Sequence, residues 1–273
     1  MTESVRPDLI ELVASRAPAE NSVSLISSDD ISQAQFRSLL DLERRNFHAK
    51  SYFEASFYRQ YRSSLMVLKH LRKSARILSL GAGGAFVEEF AVKSLGASVY
   101  IVDFPETLAL EGDLYRSIAA EAFPGDISDP AWVPPVGNLD AVFWFDNVEH
   151  LRVDPTLILR RVACAFRPDG QIFITTDNFA RFRNIIKLAL NRSIVAPPGD
   201  LFSSVDFQHE YVHRREYTLP EMEACLMNAG LQLREVEFLW QNRCEPIRKR
   251  AFVAMEWLFP RLRPHMLIRA GKA

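Results

Sequence analysis

The stretch ILSLGAGGA, residues 77–85, joins an apolar run to a glycine-rich turn, and it decides the fold. A second apolar run, VYIV at 99–102, ends at Asp103. Glycine allows a sharp turn and a close approach of the backbone to a ligand. An acidic side chain about 20 residues after such a turn can accept hydrogen bonds from both hydroxyls of a ribose. The pairing of the glycine turn with Asp103 therefore favours a nucleotide-like cofactor.

Short apolar runs alternate with helical stretches from Arg76 onward. This alternation predicts an α/β fold, with a mostly parallel sheet and helices on both of its faces. The predicted strands are residues 76–80, 98–102, 139–145 and 171–176, with a less regular strand within 119–128. Such a sheet gathers the carboxyl ends of its strands at one edge, where ligands bind.

The C-terminal part of the chain predicts a different end to the sheet. Thr218 and Glu221 have the spacing of a capping box, which indicates the start of a helix. After this helix, two apolar runs at 231–240 and 266–268 flank a helical insert around 252–259. We predict that these runs form adjacent strands, which give the sheet a hairpin-like end.

Two helices are predicted ahead of the sheet, and Asp29 or Asp30 can cap the first of them. In both helices, apolar and aromatic residues recur at helical spacing and should face inward. These residues are Ile31, Phe36, Leu39, Leu40 and Phe47 in the first helix and Phe53, Phe57, Tyr61, Leu65 and Leu68 in the second. We therefore predict a lead-in and helical cap over residues 1–70 and a cofactor-binding domain over 71–273, with a substrate-side insert at about 179–217.

Composition and charge limit the class of protein. The 273 residues are 48% hydrophobic and 25% charged, which suits one large core with a cap. The formal net charge of -1 offers no general attraction to nucleic acid, so no nucleic-acid partner is predicted. Three scattered cysteines indicate a reducing compartment, and residues 1–20 lack the apolar centre of a secretory signal. We predict a cytoplasmic protein.

The glycine turn distinguishes between two classes of cofactor. In dinucleotide-binding folds a third small residue follows the second glycine by three positions, and Phe86 stands at that position here. The spacing Gly81-x-Gly83-x-Ala85 instead resembles the loop of the class I S-adenosylmethionine (SAM) methyltransferases. Residues 145–151, FDNVEHL, and 167–178, RPDGQIFITTDN, resemble the corresponding strand ends of that family. The family also has an antiparallel last strand.

This resemblance implies a SAM site along the first strand ends, with Asp103 at the ribose and Asp126 at the adenine amino group. The implied contacts are Gly81, Ala82, Gly83, Asp103, Phe104, Asp126, Ile127 and Phe145. One position departs from the pattern, because Ser79 stands where the family usually has an acidic residue that binds the methionine ammonium group. A non-catalytic scaffold with this fold is therefore kept as an alternative.

A histidine is the predicted catalytic residue. Methyl transfer to a hydroxyl requires removal of a proton as the oxygen attacks, and a neutral imidazole suits this task near pH 7. His150 follows the strand 139–145 within one helical turn, and related sugar methyltransferases use a histidine of this segment as the base. A purely structural role for His150 is the alternative.

Oxygen-bearing side chains at two neighbouring strand ends predict a magnesium site. Asp146 closes one strand, and Asp177 and Asn178 close the next. Carboxylate and amide oxygens suit Mg²⁺, and the remaining coordination positions could take two oxygens of a diol. The set resembles that of the metal-dependent catechol O-methyltransferases, although metal-free relatives also have an acid at the position of Asp146.

The segment HRREYT, residues 213–218, resembles the acceptor segment of bacterial enzymes that methylate sugars and polysaccharides. His213, Tyr217 and, from the cap, Tyr61 are the predicted acceptor contacts, since hydroxyls and aromatic faces recognise sugars. The predicted reaction is methylation of a hydroxyl on a sugar, an oligosaccharide or a glycosylated small molecule. Metal-free methylation of a lipid, a quinone or another small metabolite is the alternative.

Basic residues alternate with apolar ones between Arg243 and Lys272. An amphipathic basic stretch can lie on an anionic membrane, and the alternative is a core-facing helix with a solvated basic side. A homodimer is also predicted.

Overall fold

A seven-stranded mixed sheet forms the centre of the protein, whose computed structural model describes residues 31–195, 213–240 and 250–273. The strands are β1 Arg76–Leu80, β2 Ser98–Asp103, β3 Glu121–Pro124, β4 Leu139–Phe145, β5 Phe166–Asp177, β6 Leu231–Leu239 and β7 His265–Lys272. Their order is β3-β2-β1-β4-β5-β7-β6. Strands β1 to β5 are parallel to one another, whereas β7 is antiparallel to both β5 and β6. The predicted fold class is confirmed, and β5 and β7 are longer than predicted because backbone pairing continues beyond the apolar runs.

Helices cover both faces of this sheet. They are α1 Gln33–Leu39, α2 Phe47–His70, α3 Phe86–Leu95, α4 Pro105–Ser117, α5 Pro155–Ala165, α6 Phe182–Ala189, α7 Leu219–Asn228 and α8 Arg250–Leu258. Alternate strand residues pack to opposite sides, so that Leu78 joins one core with α5 and α7, and Ile77 joins another with α2, α3 and α4. The helix predicted from the capping box is α7, in which Thr218 and Glu221 bond reciprocally.

The cap over the sheet is an aromatic cluster. Phe36 of α1, Phe53 and Tyr61 of α2, and Phe86 and Phe90 of α3 are buried together. One predicted inward residue is wrong, because Phe47 is 79% exposed. Its position follows from a break in what was predicted as one helix. α1 ends at Leu39, and Asn46 then caps the 24-residue α2 by accepting a hydrogen bond from the Ala49 N–H.

The N-terminal cap of α1 also differs from the prediction. Ser32 forms it, in a reciprocal capping box with Gln35, while Asp29 and Asp30 lie outside the described residues. Among the helices of the described ranges, none is long and apolar enough to cross a bilayer.

Candidate active site

The glycine turn between β1 and α3 has the backbone conformation that its sequence predicts. Gly81 and Gly83 have φ values of 68° and 51°, in the left-handed region that favours glycine. A Cβ atom at Gly81 would lie 2.2 Å from the Asn147 side-chain nitrogen, whereas one at Gly83 would meet nothing within 4 Å. The turn therefore needs glycine at Gly81 for packing, and its Gly83 side is open.

Asp103 faces this turn from the end of β2. Its carboxylate lies 3.5 Å from the Gly83 N–H and 3.3 Å from the Tyr115 hydroxyl, and it accepts a hydrogen bond from the Phe104 N–H. Burial raises the pKa of Asp103 above its ordinary value. Tyr115 also donates to the Gly83 carbonyl over 3.0 Å, a contact that sequence patterns did not predict. The structure thus brings the predicted glycine and acid together.

A second carboxylate lies beneath the turn. Ser79 of β1 donates a hydrogen bond of 2.6 Å to Glu88 in the first turn of α3, and both side chains are buried. Burial raises the pKa of Glu88 to about 7. Sequence reasoning missed Glu88, although an acid in the first turn of a helix after a glycine loop was visible. An acidic group therefore adjoins the position where the family usually has one.

The third predicted cofactor contact lies after β3. Asp126 is half-buried, and one of its oxygens accepts a hydrogen bond from the Ser128 N–H in a local turn. Ile127 beside it belongs to the core, while Phe104 is partly exposed and Phe145 half-buried. These residues lie at the carboxyl ends of β2, β3 and β4, the edge at which a doubly wound sheet binds its ligands.

The cap is fixed to the glycine turn by one buried arginine. Arg45 donates hydrogen bonds to the carbonyl groups of Gly84 (2.8 Å) and Asp41 (2.7 Å), and it forms a 2.7 Å ion pair with Glu89. Its guanidinium group also lies over the Phe86 ring. Both charged side chains are fully buried, so the ion pair connects the cap rigidly to the start of α3.

His150 lies in a short 3₁₀ helix, Val148–His150, directly after β4. Its ring is perpendicular to that of His213, with 4.9 Å between the centroids, so the predicted base and a predicted acceptor contact are neighbours. Glu149 fixes this arrangement, because its carbonyl accepts the Arg214 N–H and its buried carboxyl group accepts the Thr176 hydroxyl. Burial raises the pKa of Glu149 to about 8.

His213 is held as a cation by two acidic neighbours. Hydrogen bonding to Asp177, at 3.1 Å, and to Glu216 raises the pKa of His213 to about 10. Although burial opposes ionisation of Asp177, hydrogen bonds from His213 and His265 hold the pKa of that carboxyl group well below its ordinary value. Arg181 adds a further ion pair to Asp177 at 2.8 Å. Asp177 is therefore a buried carboxylate among three basic groups.

The predicted magnesium ligands do not present free oxygens to one point. Asn178 donates to the carbonyl groups of Arg261 and Arg263, and its oxygen accepts the Ala180 N–H. The amide group of Asn178 therefore joins backbone segments, and its role as a ligand stays a prediction. Asp146 forms a 2.9 Å ion pair with Arg59, and Asp177 is paired as described above.

A different group has the spacing of a metal site. One ligand atom from each of Glu149, His150 and His213 lies within 4.8 Å of the others, and the same holds for Asp177, His213 and Glu216. The first group includes the predicted base and mixes carboxylate with imidazole, a donor set that transition metals and zinc favour over magnesium.

Two predicted acceptor contacts, Tyr61 and Tyr217, are packed in the interior of the protein. Tyr61 is buried in the cap, where its hydroxyl donates to the Ile31 carbonyl over 2.7 Å. Tyr217 is buried in the main core, and its ring lies beneath the Arg215 guanidinium group. Both rings pack within the protein, and their contact with an acceptor stays a prediction.

Tyr52, Arg59 and His265 were not predicted. Tyr52 and Arg59, seven residues apart on α2, both contact Asp146, and Arg59 also lies 2.9 Å from a ring nitrogen of His265. Burial and the nearby Arg59 lower the pKa of His265, which pairs with Asp177 at 2.7 Å. The seven-residue spacing of Tyr52 and Arg59 on one helix face was the available signal.

Comparison with known proteins agrees with this geometry. A scan against protein-family models found no match. Among solved structures, a methyltransferase bound to the Trm112 activator of Haloferax volcanii has a TM-score of 0.59 at 13% identity, covering 82% of this chain and 92% of that one. A SAM-dependent methyltransferase of Mesorhizobium loti has a TM-score of 0.53 at 18% identity, covering 77% and 96%. These likenesses show the fold.

Curated relatives are closer in sequence. The ubiquinone biosynthesis O-methyltransferase of Xanthomonas axonopodis pv. citri is 30% identical over 179 residues, which cover 62% of this chain and 69% of the relative. The enzyme of the same name from Xanthomonas oryzae pv. oryzae gives the same values. The fold and the site define a SAM-binding transferase. The chain belongs to the class I SAM-dependent methyltransferases.

Proposed function

We propose that this methyltransferase transfers a methyl group to a hydroxyl of a small molecule, with His150 as the base. The observation that carries the proposal is the position of His150, on the strand end next to the glycine turn and 4.9 Å from the ring of His213. SAM supplies an activated methyl group. The protein therefore has to align the acceptor and to remove its proton.

The buried carboxylates of this chain fit the polar groups of SAM. Asp103 is placed to accept hydrogen bonds from ribose hydroxyls, since it already faces the open side of the turn at Gly83. Glu88 is placed to bind the methionine ammonium group in the role that the family usually gives to an acid at Ser79. Asp126 is the proposed partner of the adenine amino group.

The reaction needs one bond to form and one to break. The acceptor oxygen bonds to the methyl carbon as the carbon–sulfur bond breaks, and its proton passes to His150. A neutral imidazole at His150 takes this proton, while the cationic His213 beside it is suited to bind an acceptor oxygen. The fixed backbone contact between Glu149 and Arg214 keeps the two histidines together.

A divalent ion is a second proposal for the same site. Glu149, His150 and His213 have ligand atoms within 4.8 Å of one another. An ion bound there would displace the protons of His213 and Glu149 and would lower the pKa of an acceptor hydroxyl. Dialysis against EDTA separates the two proposals. Loss of turnover that added Mg²⁺, Mn²⁺ or Zn²⁺ restores would assign an ion, and unchanged turnover would leave His150 as the unaided base.

Two acceptor classes are proposed. A quinone precursor with a phenolic hydroxyl is supported by the name of the Xanthomonas relatives. A sugar hydroxyl is supported by the resemblance of residues 213–218 to the sugar enzymes, although Tyr217 is buried. The relatives favour the first class. A homodimer stays a prediction.

A labelled-methyl assay tests the acceptor. The enzyme is incubated with SAM and a panel of catechols, polyprenylated phenols and free or glycosidic sugars, and His150→Ala serves as the control. Transfer to phenols that the variant loses would support the proposal. Transfer only to sugars would favour the sugar class over the quinone class. Transfer to no hydroxyl would overturn the proposed function.

A further inference from the structure

Helix α6, Phe182–Ala189, turns its apolar side outward. Ile185 and Leu188 are 45% and 54% exposed, and the buried residue of the helix is Asn184. The Asn184 amide donates to the Phe179 carbonyl over 3.0 Å and to Glu216 over 2.8 Å. A surface helix of a soluble protein usually buries its apolar face. Here the buried Asn184 holds the helix to the protein. Phe182 and Ile186 are half-buried, whereas Ile185 and Leu188 face outward within the described part of the chain.

A second helix extends this apolar area. α8 lies against α6, and at its end Trp257, Leu258 and Phe259 are exposed. We call the exposed apolar residues of these two neighbouring helices the α6–α8 surface. Its members are Ile185, Leu188, Leu190, Trp257, Leu258 and Phe259. Single exposed apolar residues are ordinary, but a group on adjacent elements is typical of a binding surface.

The charge around this surface is mostly basic, with the half-buried Glu256 of α8 as an acidic neighbour. Residues 178–195 contain Arg181, Arg183, Lys187 and Arg192 and no acidic residue. Arg183 and Arg192 are exposed, and so is Arg261, two residues after Phe259. Apolar and aromatic side chains with basic neighbours are the combination that binds an anionic lipid surface. A second copy of the chain would bring the same basic groups against one another, because a symmetric dimer contact is self-complementary.

The surface adjoins the acceptor side of the site. Arg181, just before α6, binds Asp177 and Glu216, which in turn contact His213. We propose that the α6–α8 surface rests on an anionic membrane and orients the acceptor side of the enzyme toward the lipid. This surface shares Trp257, Leu258 and Phe259 with the stretch predicted at 243–272 and adds α6, whereas Arg269 and Lys272 of that stretch belong to β7. Membrane binding by this surface does not depend on which acceptor the enzyme methylates, so this proposal goes beyond the proposed function.

Vesicle flotation tests the surface. The full chain is floated with phosphatidylcholine vesicles and with vesicles that also contain phosphatidylglycerol, at low and high salt. We expect binding to the anionic vesicles alone, weakened by salt. The double variant Ile185→Asn/Leu188→Gln should bind at least about tenfold more weakly, since each lost apolar contact is worth about as much as one decade in affinity. Leu110→Gln, at an exposed position of α4, is the matched control and should bind like the native chain.

Two further measurements keep the test decisive. Titration with S-adenosylhomocysteine (SAH) shows that each variant is folded, and it does not depend on lipid. Brominated lipids should quench the fluorescence of Trp257, and Trp257→Phe should remove that quenching. Native protein that binds neither vesicle would overturn the proposal, as would a folded double variant that binds like the native chain. A native dimer that the double variant makes monomeric, with no vesicle binding, would assign the surface to a second copy.

Discussion

Ser79 at the end of β1 donates a hydrogen bond of 2.6 Å to Glu88 in the first turn of α3. The two residues belong to different elements, yet the glycine turn between them folds back so that they meet in the interior. An acid is usual in this family at the position of Ser79. The contact therefore places a carboxylate at nearly the same point from the neighbouring helix, and the absence of an acid from the strand does not argue against cofactor binding.

Replacing Glu88 should weaken the binding of one part of the cofactor. Glu88→Gln keeps the shape but removes the charge, and a hydrogen bond to a charged group contributes about 1.5–3 kcal/mol. We expect the affinity for SAH to fall about tenfold to a hundredfold by isothermal titration. The affinity for 5′-methylthioadenosine, which lacks the amino-acid portion, should stay the same.

The exchange Ser79→Asp/Glu88→Ser is the control for this prediction. It returns the carboxylate to the strand, so it should bind SAH far better than Glu88→Gln does. Equal losses for SAH and 5′-methylthioadenosine in Glu88→Gln would contradict the assignment, because they would indicate a general disturbance of the turn.

His150→Ala should lower turnover and leave cofactor binding intact. General base catalysis typically contributes about 10²–10⁴-fold, and we expect kcat to fall within that range. SAH affinity should change little, because His150 lies beyond the residues assigned to the cofactor. His213→Gln should instead act mainly on the KM for the acceptor. Unchanged kcat in His150→Ala would remove His150 from the role of base.

The fold and the cofactor half of the site could be predicted because their signals are local. A glycine turn has a backbone requirement that is visible in the sequence, and Gly81 and Gly83 show it in their φ values. An acid at the end of an apolar strand has a fixed place at the edge of a parallel sheet, where Asp103 lies. Each of these inferences needed only one strand and the turn that follows it.

The acceptor half depends on contacts between distant segments. Asp146 and Arg59 are 87 positions apart, and Asn178 is bonded to the backbone after α8. An apolar alternation cannot tell whether an oxygen at a strand end meets a cation, a backbone group or solvent. For this reason the sequence could not show that the Asn178 amide group bonds to the backbone, and helical spacing showed only that the Tyr61 ring turns inward.

The two glycines of the turn should respond differently to alanine. Alanine at either φ value costs roughly 1–2 kcal/mol, so both variants lose stability. Gly81→Ala also forces an atom to 2.2 Å from the Asn147 amide, and we expect it to unfold at clearly lower urea concentration than Gly83→Ala. Because Gly83 faces open space, Gly83→Ala should bind SAH more weakly than its modest destabilisation explains. Native-like SAH affinity in Gly83→Ala would show that the cofactor does not approach this side.

Arg45→Met should destabilise the protein strongly. The substitution removes one of the two cations that contact the buried Glu89, which keeps the Lys93 ammonium group at 2.7 Å and the Asp41 N–H. Breaking a buried pair that has no other partner costs about 3–5 kcal/mol, and we expect a loss toward the lower end of that range. The double variant Arg45→Met/Glu89→Gln removes both charges and should recover part of the loss. Urea unfolding measures both. If the single variant lost less than about 1 kcal/mol, the pair would be more solvated than its position indicates.

The pH dependence of stability should identify Glu149. Burial holds its pKa at about 8 in the folded state, against an ordinary value of 4.5. The folded protein therefore binds one proton more than the unfolded chain within that window, and stability falls as the pH rises through it.

Glu149→Gln is uncharged throughout and should lose this slope, so that it gains stability relative to the native protein toward the upper end of the window. The pKa of His213 is also raised, to about 10 from 6.5, so its contribution is lost at higher pH, between those two values. Thermal melts across the whole range should therefore show Glu149→Gln flattening the lower part of the profile and His213→Gln the upper part. If Glu149→Gln kept the native slope between pH 4.5 and 8, Glu149 would be ionised in the folded protein and paired with the cationic His213 beside it.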